Sequence, residues 1–385
     1  NTNTQTPSWT NRNYFTIGQD TKFRFTQQPN FPLGGGQPTV IYGHLEANVN
    51  LTFQGTATKT IKNGIIGTGN IDATTVGSGA IIIDGATSVL GGGSLDLQTG
   101  VPLQITGSNV TMSSSKIING DVALASNSMI VLGNNDLTVS GSISGYGTSS
   151  YVQTNGTGYL KMNAIGGTRV FPVGFNTFNA CYINNGGLND YSVRVENGIT
   201  PSPALPTFGI NRTWYILSSS AGTAAVSFVH ATAHANAGVT TQPQPMEILQ
   251  YTGGVWSITV GNQGINPGGA DPQWIVTSLS PVAVNTTATP NAVGKSGGWI
   301  LPLNCIVNLK AMKVNNSGKL TWNASSCSEV NSFELQRSVN NGVYQTISII
   351  RPLANETDFE FSDRLLASGI NQYRIKINGL TGATK

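Results

Sequence analysis

The chain has 385 residues, enough for two or three domains. Only 10% of them are charged and the net charge is +3, which excludes the basic field that nucleic acid requires. No run reaches the roughly 20 apolar residues that span a bilayer. Asn, Thr, Ser and 47 glycines take the place of the missing charge, and these side chains favour turns and strands over helix interiors.

The chain opens on the polar run Asn1-Thr2-Asn3-Thr4-Gln5-Thr6. A chain whose export segment has been cut away has this look, as does a trimmed chain. Residues 1–50 predict short strands at Asn13, Tyr14, Phe15, Thr16 and Ile17 and at Phe23 to Phe25, with a glycine and proline loop over 29–38. They are expected to cap the region that follows, because an open solenoid end exposes unpaired strand edges.

Residues 51–145 carry very short apolar runs at even spacing: Ile65-Ile66, Ile81 to Ile83, Leu95 and Leu97, Leu103 and Ile105, Ile117-Ile118, Val122 and Leu124, Met129 to Leu132, Leu137 and Val139. An aliphatic residue followed by aspartate recurs every 12 residues, at Ile71-Asp72, Ile83-Asp84 and Leu95-Asp96. A short fixed period predicts a solenoid, each coil burying its aliphatics on the next, and two such periods make a coil of about 24 residues. An antiparallel sandwich of short strands is the rival arrangement.

Residues 146–296 give longer, more aromatic strands, among them 191–195, 213–217, 225–228, 247–251 and 274–276, with turn signals at Asn185-Gly186-Gly187 and Gly253-Gly254. This predicts a middle β-sandwich. The stretch 282–299, rich in Thr, Ala, Asn and Gly, reads as a linker.

Residues 301–385 predict six strands, at 307–309, 319–322, 333–338, 343–349, 359–361 and 373–377, spaced for an immunoglobulin-like sandwich. A fibronectin-type sandwich has seven. The turn Asn378-Gly379-Leu380-Thr381-Gly382 follows the sixth, and the sequence stops at Lys385. The expectation is an open edge along Tyr373, Ile375 and Ile377 that takes a strand from another subunit. A strand within 1–17, with Asn13, Tyr14, Phe15 and Ile17 as contact residues, is the candidate donor.

Several of these segments resemble a known family. Leu301-Pro302-Leu303, Leu320-Thr321-Trp322, Phe333 to Ser338, Phe361-Ser362-Asp363 and Tyr373 to Lys376 look like the fibronectin-like module of secreted Bacteroidota proteins. Leu137 to Gly141, Val152 to Gly158, Phe171-Pro172-Val173-Gly174 and Arg212-Thr213-Trp214 are similar to segments of the same proteins. The resemblance covers about residues 132–385. It implies type IX secretion and a cell-surface or secreted location, and it brings no catalytic residues.

The search for chemistry returns little. Cys305 and Cys327 share one predicted domain and are candidates for a disulfide in an oxidising compartment, which leaves Cys181 as a buried thiol. His230 and His234 have the spacing of a zinc-protease helix, but Ala231 stands where the glutamate belongs. Gly91 to Asp96 is a degenerate, single copy of a calcium-binding repeat, too few oxygens for the ion. Asp72 and Asp96 are expected to stack, with Asp84 facing elsewhere, and a lone stack is weak support for a polysaccharide-degrading enzyme. Tyr251, Trp256 and Trp274 are either a glycan platform or sandwich core. No cofactor, metal or catalytic residue is expected. The chain reads as an all-β, secreted structural or adhesive surface protein that self-associates into a fibre by strand complementation. The runner-up is a monomeric glycan-binding adhesin or stalk.

Overall fold

The computed structural model describes residues 16–17, 22–25, 30–31 and 38–379, except 54, 76, 78, 204–205, 240–241, 266–272, 296–304, 326, 328–329 and 354–355. All described elements are strands apart from two 3₁₀ turns, Pro206–Phe208 and Thr232–His234. Residues 1–202 with 207–296 form one compact unit, and 203–206 with 297–385 form a second.

The first unit starts as a parallel β-solenoid of about six turns. Each coil adds one strand to each of three sheets. Thus Lys59–Ile61, Gly64–Ile66 and Ile71–Ala73 are followed one coil later by Ile81–Ile83, Val89–Leu90 and Leu95–Leu97, all in parallel register. The 12-residue period is therefore half a coil. Asp72 and Asp96 do stack in the third sheet, whereas Asp84 follows a strand of the first sheet. Residues 16–47, expected as a cap, carry the same three-sheet pattern in their described strands.

A parallel coil buries alternate residues of every strand, and the sequence supplies aliphatics there. In the first sheet Ile41, Ile61, Ile83, Ile105 and Leu124 form one inward column, all nearly inaccessible to solvent. Burial of each such side chain stabilises by roughly 1.5–3 kcal/mol. The corners explain the polar composition. Ser94 N donates to Asn70 Oδ1 (2.9 Å), which belongs to the previous coil, and Asn70 N donates to Asn50 Oδ1 (3.0 Å). Further along, Tyr159 N donates to Asp136 Oδ1 (2.8 Å). Each corner side chain thus satisfies a backbone donor that the turn would leave bare. Gly92 (φ +88°) sits over the Gly67 carbonyl of the coil before, so a Cβ has no room there.

Two lysines interrupt the inward columns. Lys59 is 1% exposed and donates to the Gly55 and Ala57 carbonyls at 3.1 and 3.0 Å. Lys116, also 1% exposed, has no hydrogen-bond partner for its Nζ among the described residues. Burial pulls the pKa of each amine down to about 8, with Asp96 pulling Lys116 weakly the other way.

The third sheet does not end with the solenoid. Leu160–Phe171 pairs parallel with the last coil and antiparallel with Cys181–Asn197. From there the order runs through Arg212–Ser218, Thr289–Lys295, Met246–Thr252, Val255–Ile265, Gln273–Ser278 and Gly222–Ala231, and the last returns to pair with Cys181–Asn197. The middle strands therefore close into a hydrogen-bonded ring joined to the solenoid, and one apolar core runs through both. Two turn and linker readings are corrected here. Asn185-Gly186-Gly187 lies inside the continuous strand Cys181–Asn197, and the irregularity is absorbed by register shifts around Ile165 on its neighbour. Residues 289–295, read as linker, form a ring strand whose small Ala292 and Val293 are fully buried.

The second unit has the six expected strands. Ile306–Val314, Ser317–Ser325 and Asp358–Asp363 make one sheet; Gln345–Ile350, Val330–Val339 and Asn371–Gly379 make the other. Leu320, Trp322, Phe333, Leu335 and Phe359 form the core, with Trp322 stacked on Phe359 at 5.3 Å.

Candidate functional site

The most distinctive surface feature of the second unit is the seam beside its last strand. Asn371–Gly379 pairs antiparallel with Val330–Val339 along one edge. Among the described residues no strand pairs with the other edge. Across the seam lies Ile306–Val314 of the facing sheet. Alternation sends Tyr373, Ile375 and Ile377 inward. Ile377 is buried, but Tyr373 and Ile375 are only half-buried, as are Val307 and Leu309 opposite them, although all four pack on the core. The seam is thus a strip of core left partly uncovered beside a row of backbone donors and acceptors, the arrangement that an added strand covers.

Polar contacts hold the seam's shape. Tyr373 Oη donates to Asp363 Oδ2 (2.9 Å), which also accepts from Arg337 Nη1 (2.8 Å). Burial and the Asp363 bond push the Tyr373 phenol up to about 12. On the outer face Arg374 lies over the Tyr344 ring at 4.1 Å and donates to Gln336 Oε1 (2.7 Å). Lys376 pairs with Glu334 at 3.4 Å.

Of the candidate donor residues, Asn13, Tyr14 and Phe15 lie outside the described residues. Ile17 already has a role within its own chain: Thr16–Ile17 pairs with Thr39–Ile41 in the first sheet, and Ile17 sits in register with Ile41. The structure joins Cys305 to Cys327, tying the start of Ile306–Val314 to the segment before Val330. Cys181 is free and fully buried, and burial pushes its thiol far up.

No protein-family model, curated protein or solved structure matches this chain.

The remaining candidates resolve one by one. His230 is fully buried on Gly222–Ala231 and His234 follows in the 3₁₀ turn, so the pair does not share a helix. Among the described residues no group of three or more His, Cys, Asp or Glu could hold a metal ion. Asp72 Oδ1 accepts from Thr74 N and Oγ1 at 2.9 and 2.6 Å, a turn bond, and Asp96 accepts from Asn119. Asp84 pairs with Lys62, and that bond pulls its carboxyl below the usual range. The aromatic platform does not form: Trp256 and Trp274 are buried at 4% and 8%, and their indoles donate to Pro201 O and Thr232 Oγ1. Among the described residues no helix is long and apolar enough to cross a membrane.

A polar cluster around Arg212 went unread, although Arg212-Thr213-Trp214 and the His230/His234 pair each stood out on their own. It is assembled from segments far apart in the chain, and its members Thr177, Asn179 and Asn197 are ordinary turn or strand residues one at a time.

Proposed function

We propose that this chain is an extracellular structural or adhesive surface protein that self-associates by strand complementation. The observation that carries the reading is the seam along Asn371–Gly379, where half-buried Tyr373, Ile375, Val307 and Leu309 lie beside an edge that no described strand pairs with. An added strand with apolar residues at alternate positions would bury these four side chains and complete the main-chain bonds. The rest of the molecule suits a scaffold. The solenoid is a stiff stack whose polar groups are spent on holding coil to coil, and a surface with so little charge offers little repulsion to a second copy. The Cys305–Cys327 disulfide fits an oxidising, extracellular location, in line with the secretion route that the sequence resemblance implies. The proposed donor is a strand within residues 1–17 of a neighbouring copy, which would have to give up the Ile17–Ile41 pairing of its own first coil.

The test is an inward lysine on the seam. Ile375→Lys and, separately, Leu309→Lys should leave the circular dichroism spectrum of the monomer unchanged. Each should reduce oligomers measured by light scattering at least tenfold. Oligomers that persist unchanged in both folded variants would overturn the proposal.

A further inference from the structure

Arg212 is 6% exposed and has no carboxylate partner among the described residues; neutral groups surround its guanidinium. Nε donates to Asn179 Oδ1 (3.1 Å). Nη1 donates to Asn197 Oδ1 (2.6 Å) and Asn211 O (2.7 Å). Nη2 donates to Thr177 Oγ1 (3.2 Å) and Phe175 O (3.4 Å) and stands 2.9 Å from His234 Nε2. Phe175, Thr177 and Asn179 directly follow Val173–Gly174, the last strand of the second solenoid sheet. Arg212 opens a ring strand, and His234 ends the turn after another. Asn179 adds to the tie: its carbonyl accepts from Trp214 Nε1 (2.8 Å) and its Nδ2 donates to Val229 O (3.3 Å). The cluster is the polar joint between the end of the solenoid and the ring that closes it.

The joint works only with His234 neutral. A neutral imidazole has one N–H and one bare nitrogen: with its hydrogen on Nε2, 2.8 Å from Thr177 Oγ1, the bare Nδ1 accepts from the Ala231 backbone N–H and from Asn179 Nδ2, both at 3.2 Å. A histidinium would turn a new N–H from Nδ1 toward both of these donors and place a second cation against the guanidinium, whose Nη2 stands 2.9 Å from Nε2. The other titratable groups on these sides are His230, and Tyr151 beside Arg212. His230 is itself fully buried, with Ala231 O and Gln263 Nε2 at 3.3 and 3.4 Å from its ring nitrogens. None of these supplies a negative charge at neutral pH.

We propose that Arg212 and His234 form an acid-released latch between the solenoid and the strand ring. In the closed form burial holds His234 down at about 3, with Arg212 and then His230 pushing the same way, and burial holds His230 at about 4. An opened joint returns both to the ordinary histidine range near 6.5. Protons therefore bind the open form first as pH falls below about 6.5. Closure weakens by about tenfold per pH unit for each histidine that opening exposes, until the closed-state values are reached.

Hydrogen exchange on the whole chain tests this. Protection factors, corrected for intrinsic rate, are measured between pH 7 and 4 for peptides covering 175–180, 210–214 and 230–235. The solenoid coils over 81–124 are the internal reference. The latch predicts a loss of about tenfold or more per pH unit below 6.5 in the joint peptides, with the reference flat. The variant His234→Gln should lose part of that pH dependence. A flat profile in the joint, an equal loss in the reference coils, or full pH dependence in a folded His234→Gln chain would overturn the latch. If the variant does not fold, imidazole titration of the wild-type chain by NMR decides, since the chain has three histidines. His234 titrating near 6.5 in the folded state would contradict the proposal.

Discussion

Replacing Lys116 by methionine should make the protein more stable, although it removes a charge from a charge-poor chain. Lys116 lies in an inward column next to Leu137, 1% exposed, with no partner for its Nζ among the described residues. Its amine is held at about 8 instead of 10.5. At 1.36 kcal/mol per pKa unit, keeping it protonated in the folded chain costs about 3 kcal/mol. Methionine keeps most of the aliphatic stem and abolishes the cost. The pH dependence has a defined sign. Below pH 8 the lysine is protonated in both states and the full penalty applies. Between 8 and 10.5 the unfolded chain binds more protons, so wild-type stability rises with pH through this group. Above 10.5 the penalty is gone. Urea unfolding followed by far-UV circular dichroism should show Lys116→Met more stable by about 3 kcal/mol at pH 7, shrinking to near zero by pH 10.5. A variant less stable than wild type at pH 7, or a gap that does not change with pH, would refute the reasoning.

Four further variants probe other parts of the fold. Gly92→Ala forces a Cβ into the Gly67 carbonyl at φ +88°, and should lower stability by on the order of 2–5 kcal/mol. Gly133→Ala, at φ +57° in open space, should cost only about 1 kcal/mol, and thermal melts of the two compare them directly. Asn70→Ala removes the acceptor of Ser94 N and should cost about 1 kcal/mol, seen as faster amide exchange at Ser94. Exchanging Cys305 and Cys327 together for serine opens a loop with a sequence separation of 22. It should cost the second unit about 3 kcal/mol, read from Trp322 fluorescence during urea unfolding.

How much was legible in the sequence followed the range of the interactions. The solenoid could be read because its signal is local and repeated: Ile71-Asp72, Ile83-Asp84 and Leu95-Asp96 mark half coils, and the Asp72–Asp96 stack followed from that period. All six strands of the second unit could be read, since alternation such as Phe333 to Ser338 reports directly which face is buried. The joining of the solenoid to the ring could not, because it depends on Cys181–Asn197 pairing with strands on both sides over long sequence separations. Asn185-Gly186-Gly187 has the composition of a turn, yet neighbouring strands hold it extended. Residues 289–295 look like linker because a ring closed by small side chains needs Ala292 and Val293 rather than large aliphatics. The seam was partly legible: the inward alternation of Tyr373, Ile375 and Ile377 was evident, but the half-covered Val307 and Leu309 that make it a groove came only from the facing sheet. Arg212 and His234 each stood out locally, but nothing in the sequence brought them together.

The most direct test of self-association is negative-stain electron microscopy of the 1–385 chain across a concentration series, beside the Ile375→Lys variant. The account predicts regular filaments or end-to-end oligomers for the wild-type chain and dispersed single particles for the folded variant. Dispersed monomers of the wild type at every concentration, or equal filaments from both chains, would contradict it.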